Sequence, residues 1–196
     1  GRIAPEGTAL GFDLSAPMIE HAQKLAGQEG SPARFLTGDA QTHDFPAASF
    51  DLIVSRFGVM FFSDPVGAFA NLRRAAKPGA ALAMISWRAI AENPFMTVAE
   101  RAAAPLLPDL AKRGGGPGQF AFADQDHVHG ILDAAGWTGV SSEPIDMMCT
   151  FPASALDTYL SLMGPVGHLL AKSDDALRER VMSAIREGFS EYKSGP

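Results

Sequence analysis

"LGFDLSAPMIEHA", residues 10–22, is a short apolar run that ends on an acid and then turns helical. The run "TALGFD" (8–13) reads as a strand. A helix over about 16–27 follows, with Ser15 as its N-cap and Pro17 in its first turn, where a missing N–H costs nothing. Met18, Ile19, Ala22, Leu25 and Ala26 make an apolar stripe at helical spacing, and Gly30-Ser31-Pro32 ends it. The same unit then repeats. "ARFLTGD" (33–39) is a second strand, again closing on an acid. "FDLIVSRF" (50–57) is a third, nearly continuous in apolar residues, the pattern of a strand buried on both faces. "DPVGAFANLRRAAKPG" (64–79) is a helix with Asp64 as N-cap and Pro65 at the first helical position. "AALAMISW" (80–87) is a fourth strand. Strands alternating with helices at this spacing give βαβ units, hence an α/β fold with a mostly parallel sheet.

Composition bounds the rest. The 196 residues fit one domain, and 46% apolar with 19% charged residues supply a sizeable core. The net charge of -6 argues against a nucleic-acid binder, which normally carries a basic stripe. The lone Cys149 makes no internal disulfide and offers no cysteine pair for a metal, so no metal site is expected and a reducing, cytoplasmic setting is the default. No apolar run approaches the roughly 18 residues of a membrane span. Residues 1–5 lack a signal-peptide core and read as the loop after a helix. The composition is compatible with a homo-oligomer.

The middle of the chain breaks the alternation. Residues 88–123 read as a lid or substrate insertion in a single domain spanning 1–196, with a helix at about 94–104 and a glycine-rich mobile loop in "KRGGGPGQFAFA" (112–123). Asp124 caps a helix running to about 135, Gly136 ends it, and "GVSSEPIDMMCTF" (139–151) is expected as a strand. Residues 152–164 and 173–192 read as amphipathic helices.

Chemistry collects at one edge. Asp13, Gly38-Asp39, Ser55-Arg56 and Ser86-Trp87 all lie at the carboxyl ends of strands, the edge that carries the ligand crevice in an open α/β sheet. A carboxylate at such a strand end can accept from both hydroxyls of a ribose, which suggests an adenosine-containing cofactor for Asp13. Acids also end strands simply as turn residues. A second carboxylate one repeat later, Asp39, can accept from the amine of adenine while the Ala40 N–H donates to a ring nitrogen.

Three stretches together, "GFDLSAPMIEHAQ" (11–23), "GDAQTHDFPAASFDLIVSRFGVMFFSDP" (38–65) and "NLRRAAKPGAALAMISW" (71–87), resemble the class I S-adenosylmethionine-dependent methyltransferases. Within them the likeness is to the type 11 group that includes the ubiquinone and menaquinone biosynthesis C-methyltransferases. It covers residues 1–88 strongly and "DQDHVHGILDAAGWTGV" (124–140) more loosely. The resemblance implies a Rossmann-like, doubly wound sheet with S-adenosylmethionine as cofactor. It implies that Asp13 binds the ribose, that Leu14 and Met18 flank the adenine, and that Asp39 and Ala40 read its edge. Ser55, Arg56 and Phe57 would line the methionine end. Against the family's seven strands, the sheet here is incomplete at both ends. The family's glycine-rich loop would precede residue 1 and its last strand would follow residue 196, and both absent strands belong inside the sheet.

Methyl transfer from a sulfonium is an in-line displacement, so positioning and exclusion of water are the protein's main tasks and no dedicated nucleophile is assigned. A base is useful only where the acceptor must lose a proton. The candidates are His43, His127, His129, His168 and Tyr159, of which His168 lies in a segment that could cap the pocket. Met60, Trp87 and Phe95 join His168 as expected substrate-lining residues and point to a small, partly apolar acceptor. "NPF" (93–95) is a partial match to the motif of adenine-amine methylases, but it sits after the wrong strand and lacks the second proline. A nicotinamide-dependent reductase would need a Tyr-x-x-x-Lys pair, and neither Tyr159 nor Tyr192 has one. A non-catalytic, methyltransferase-like binding or scaffold protein is the alternative function.

Overall fold

The computed structural model describes residues 7–110, 116–162 and 165–193. They fall into two compact units: residues 1–86 with 125–141, and 87–124 with 142–196.

In the first unit, strand β1 (Leu10–Asp13) leads into helix α1 (Ala16–Gln28), and strand β2 (Arg34–Thr37) returns parallel beside β1, with Asp13 opposite Thr37. Ser15 caps α1 by accepting from the Met18 N–H at 3.4 Å. The two strands pack closely through their glycines. A Cβ on Gly11 would lie 2.5 Å from the Phe35 ring, and one on Gly38 would lie 2.7 Å from the Phe12 ring. Any larger residue there would push an aromatic side chain out of place.

Strand β3 (Phe50–Arg56), helix α2 (Pro65–Ala75) and strand β4 (Ala76–Ile85) form the second parallel unit. The expected helix to Gly79 is shorter, because β4 begins at Ala76 opposite Phe50. The register then jumps, so that Leu52 faces Ala81. Residues 77–80 form the bulge between these pairings, and Gly79 takes the left-handed φ of 78° that the bulge needs. β1 pairs with β2 and β3 with β4, and among the described residues the two pairs share no ladder. The continuous burial expected for "FDLIVSRF" is also not met: Leu52 is 55% and Val54 68% exposed. The core lies instead along α2 and helix α4 (Gln125–Ala134), which pack together with Phe69, Leu72, Val128, Ile131, Leu132 and Trp137 buried. The Trp137 indole N–H donates to the Phe69 carbonyl at 3.0 Å.

The second unit is helical. Helix α3 (Pro94–Ala103) packs on α7 (Asp175–Gly188), with α5 (Leu156–Leu162) against α6 (Val166–Leu170). Its core joins Ala99, Ala103 and Leu107 to Leu160, Val166, Val181 and Ile185. The expected helix over 152–164 is thus a 3-10 turn (Ala153–Ala155) followed by α5, and that over 173–192 is α7 with a 3-10 turn at Ser190–Tyr192. The strand expected over 139–151 does not form: residues 140–152 make no ladder, and Ile145, Met147 and Met148 are 66%, 81% and 91% exposed. A run interrupted by Ser141-Ser142-Glu143-Pro144 has no neighbour to pair with among the described residues. Of the expected glycine-rich loop, residues 112–115 lie outside the described residues.

Candidate functional site

The carboxyl ends of β1 and β2 bring the two acids side by side. The Gly38 N–H donates to the Asp13 carbonyl at 2.9 Å, which fixes Asp39 two residues beyond the end of the ladder at Thr37. The Asp13 side chain is exposed, and its Oδ1 accepts from the Ser15 N–H at 2.8 Å. That bond holds the carboxylate against the start of α1 through one oxygen, at an exposed position. Leu14 and Met18 stand beside it, 72% and 62% exposed, the apolar surface a flat heterocycle would cover.

Asp39 is partly buried and more tightly held. Its Oδ1 accepts from the Gln41 N–H at 2.9 Å, and the Gln41 side-chain amide reaches both of its oxygens at 3.2 and 3.1 Å. The loop that carries Asp39 and Ala40 is braced from α2. Asn71 Nδ2 donates to the carbonyls of Ala40 and His43 at 3.1 and 2.9 Å. The Arg74 guanidinium donates to the Phe45 carbonyl at 2.8 Å and to Asp44 at 2.9 Å. His43 itself packs on the Phe12 and Phe45 rings, with centroids 4.7 and 4.5 Å away, in a three-ring cluster whose two phenylalanines are also in contact at 4.9 Å.

At the end of β3, Phe57 adopts φ 59°, a left-handed conformation that a bulky residue takes up only at a cost of about 1–3 kcal/mol. Its N–H donates to the Ile85 carbonyl at 3.0 Å, which holds the turn in place, and the Arg56 guanidinium lies 6.0 Å from its ring centroid. Such strain concentrates at functional sites. Ser55 precedes it on the same strand end. Met60, three residues on, is 1% exposed. The short 3-10 turn Val59–Phe61 carries its side chain into the core, so it has no surface to offer a substrate.

Trp87, Phe95 and His168 belong to the second unit. The Trp87 and Phe95 rings are in contact, 5.7 Å between centroids. His168 is exposed on α6. The Tyr159 hydroxyl donates to the Phe95 carbonyl. Burial, with the nearby Cys149 and Glu100 charges adding to it, pushes the Tyr159 phenol up to about 12. It therefore stays protonated at neutral pH and is no general base there. No cluster of metal-ligating side chains occurs among the described residues. No helix among them is long and apolar enough to cross a membrane.

The sequence reading missed Gln41, Asn71 and Arg74. Asn71 and Arg74 stand three apart, on one face of α2, which was the available signal. Gln41 lay two residues beyond a singled-out acid.

The site residues of the first unit all fall within residues 2–84, the stretch that matches the family described as methyltransferase domain. The match extends into relatives. Aklanonic acid methyltransferase DauC of Streptomyces sp. strain C5 is 35% identical over 86 residues, covering 43% of this chain and 39% of that one. A demethylmenaquinone methyltransferase of Renibacterium salmoninarum is 30% identical over 141 residues, covering 67% of this chain and 58% of that one. This chain therefore spans between two fifths and three fifths of the length of these curated relatives. In structure, YcgJ of Bacillus subtilis aligns over 87% of this chain and 70% of its own, with a TM-score of 0.53 at 18% identity, a likeness of fold alone. With its parallel βαβ units, this stretch has an α/β fold of the Rossmann-like kind.

Proposed function

We propose that this protein transfers a methyl group from S-adenosylmethionine to a small, partly apolar acceptor. The observation that carries the reading is the pair of carboxylates, Asp13 and Asp39, at the ends of two hydrogen-bonded parallel strands within the family-matched stretch. The residues fit the cofactor. Asp13 offers an exposed carboxylate for the ribose hydroxyls, Leu14 and Met18 offer apolar cover for the adenine, and Asp39 with the Ala40 N–H offers an acceptor and a donor for its edge. Ser55, Arg56 and the strained Phe57 turn are assigned to the methionine end. The bound cofactor supplies the activated methyl group, so these residues act by holding it in line with the acceptor. Two relatives are named for aklanonic acid and demethylmenaquinone, which favours a small-molecule acceptor here. Trp87, Phe95 and His168, all of the second unit, are assigned to the acceptor. The reading takes the protein as a cytoplasmic enzyme with no nucleic-acid substrate.

Calorimetric titration of S-adenosylmethionine tests it, with Asp13→Ala as control. Binding at about micromolar strength is expected, weakened at least about tenfold by the substitution, the loss of a charge-assisted hydrogen-bond pair. A folded protein that binds no cofactor would sink the enzyme reading in favour of the scaffold alternative.

A further inference from the structure

We propose that Gln41 is a positioning residue that sets the Asp39 carboxylate for recognition of the adenine amine, using the amino end of α2 as its anchor. The inference rests on the reading of Asp39 given above and deepens it.

The orientation of the Gln41 amide follows from chemistry. Its Oε1 lies 2.7 Å from the Ser63 N–H, 3.0 Å from the Ser63 hydroxyl and 3.1 Å from the Asp64 N–H. Backbone N–H groups can only donate, so the atom facing them is the amide oxygen. The amide nitrogen then necessarily faces Asp39, where it finds both carboxylate oxygens at 3.2 and 3.1 Å. One side chain thus spans two loops: the one after β2, which carries Asp39 and Ala40, and the one that opens α2.

The consequence for Asp39 lies in its remaining lone pairs. Oδ1 accepts twice, from the Gln41 N–H at 2.9 Å and from the side-chain amide, whereas Oδ2 accepts once. The carboxylate is locked about its side-chain torsions and keeps its open acceptor position on Oδ2. Next to it stands the Ala40 N–H, a donor. An acceptor beside a donor matches the amine and adjoining ring nitrogen of adenine and mismatches a 6-oxo purine, which presents an oxygen where the amine would be. Without Gln41 the carboxylate keeps its charge and loses its direction. Gln41 therefore acts on selectivity between bases more than on affinity as such.

The test compares binding of S-adenosylhomocysteine with that of S-inosylhomocysteine, its deaminated analogue, by calorimetry. The wild-type protein is expected to prefer the adenosyl compound at least about tenfold. Gln41→Met removes both halves of the bridge, and the preference is expected to fall about fivefold or more. Gln41→Glu keeps an oxygen for Ser63 and Asp64 but sets a second carboxylate beside Asp39. The same loss of preference is expected there, with the far-ultraviolet spectrum and thermal midpoint close to wild type. Asp39→Ala sets the floor. A preference unchanged in both Gln41 variants, with Asp39→Ala at the floor, would overturn the positioning role and reduce Gln41 to a staple between loops, leaving the reading of Asp39 intact. Failure of the wild type to bind S-adenosylhomocysteine, or an unchanged preference in Asp39→Ala, would overturn the reading of the site itself, and the role of Gln41 with it.

Discussion

At the scale of the residue, the two strand-end acids were legible because everything that places them is local. A strand, an acid, a serine cap and a helix stripe lie within about one βαβ half-unit of Asp13, and the pattern repeats at Asp39. Met60 was illegible for the opposite reason. Its inward aim depends on the 3-10 turn Val59–Phe61 after a left-handed Phe57, which no side-chain pattern announces. Tyr159 was ambiguous as a base until its surroundings were known. Its phenol is pushed from 10.0 to about 12, chiefly by burial and further by Cys149 and Glu100. The folded protein therefore holds this proton more tightly than the unfolded chain does. Between about pH 10 and 12 the folded state carries more protons, so stability falls as pH rises through that window and is unaffected by this group below it. Absorbance at 295 nm should show one of the two tyrosines ionising late, near pH 12, and Tyr159→Phe should abolish that late step. A Tyr159→Phe titration curve that retains the late step would refute the assignment.

At the scale of the element, α2 shows where sequence signals hold and where tertiary pairing overrides them. Its start was plain, since Asp64 accepts from the Gly67 N–H at 3.0 Å with Pro65 at the first position. Asp64→Ala should cost about 1 kcal/mol in urea unfolding, the ordinary loss of an N-cap. Its end was misleading. Lys77-Pro78-Gly79 resembles a stop, yet the helix yields two residues earlier because Ala76 pairs with Phe50 and the ladder takes over. The strand expected over 139–151 fails by the same logic in reverse: a strand is made by its neighbour, and none is there among the described residues. The exposed-looking polar residues of α2 prove to be its most connected. Asn71 donates to two loop carbonyls and accepts from Arg74 at 2.9 Å. Asn71→Ala leaves those groups to solvent or unsatisfied, and about 1–3 kcal/mol of stability should go with it. A loss no larger than that of Asp64→Ala would mean that solvent replaces the brace without penalty.

At the scale of the whole molecule, the helices were more legible than the partners they pack on. The apolar stripes of α3 and α7 were each visible, but that residues 94–103 pack on residues about 80 positions later is not written in any local period. The grouping into two compact units, with 87–124 joined to 142–196, follows from such long-range packing. The two tryptophans fall one in each unit. Trp137 is buried over Phe69, while Trp87 touches Phe95 at the start of α3, which packs on α7. In a Trp137→Phe background, Trp87 emission therefore follows the helical unit alone. Ile185 on α7 is 0% exposed within that unit's core, so Ile185→Ala removes apolar contact and leaves a cavity, at an expected cost of about 2–5 kcal/mol. Val54→Thr makes the contrasting case, because Val54 is 68% exposed on β3 and its substitution should stay within about 0.5 kcal/mol. Urea unfolding of both variants, Val54→Thr followed through Trp137, measures the difference. Equal losses would mean that the packing of α7 on α3 contributes little more than an open strand face does, and the core of the helical unit would have to lie elsewhere.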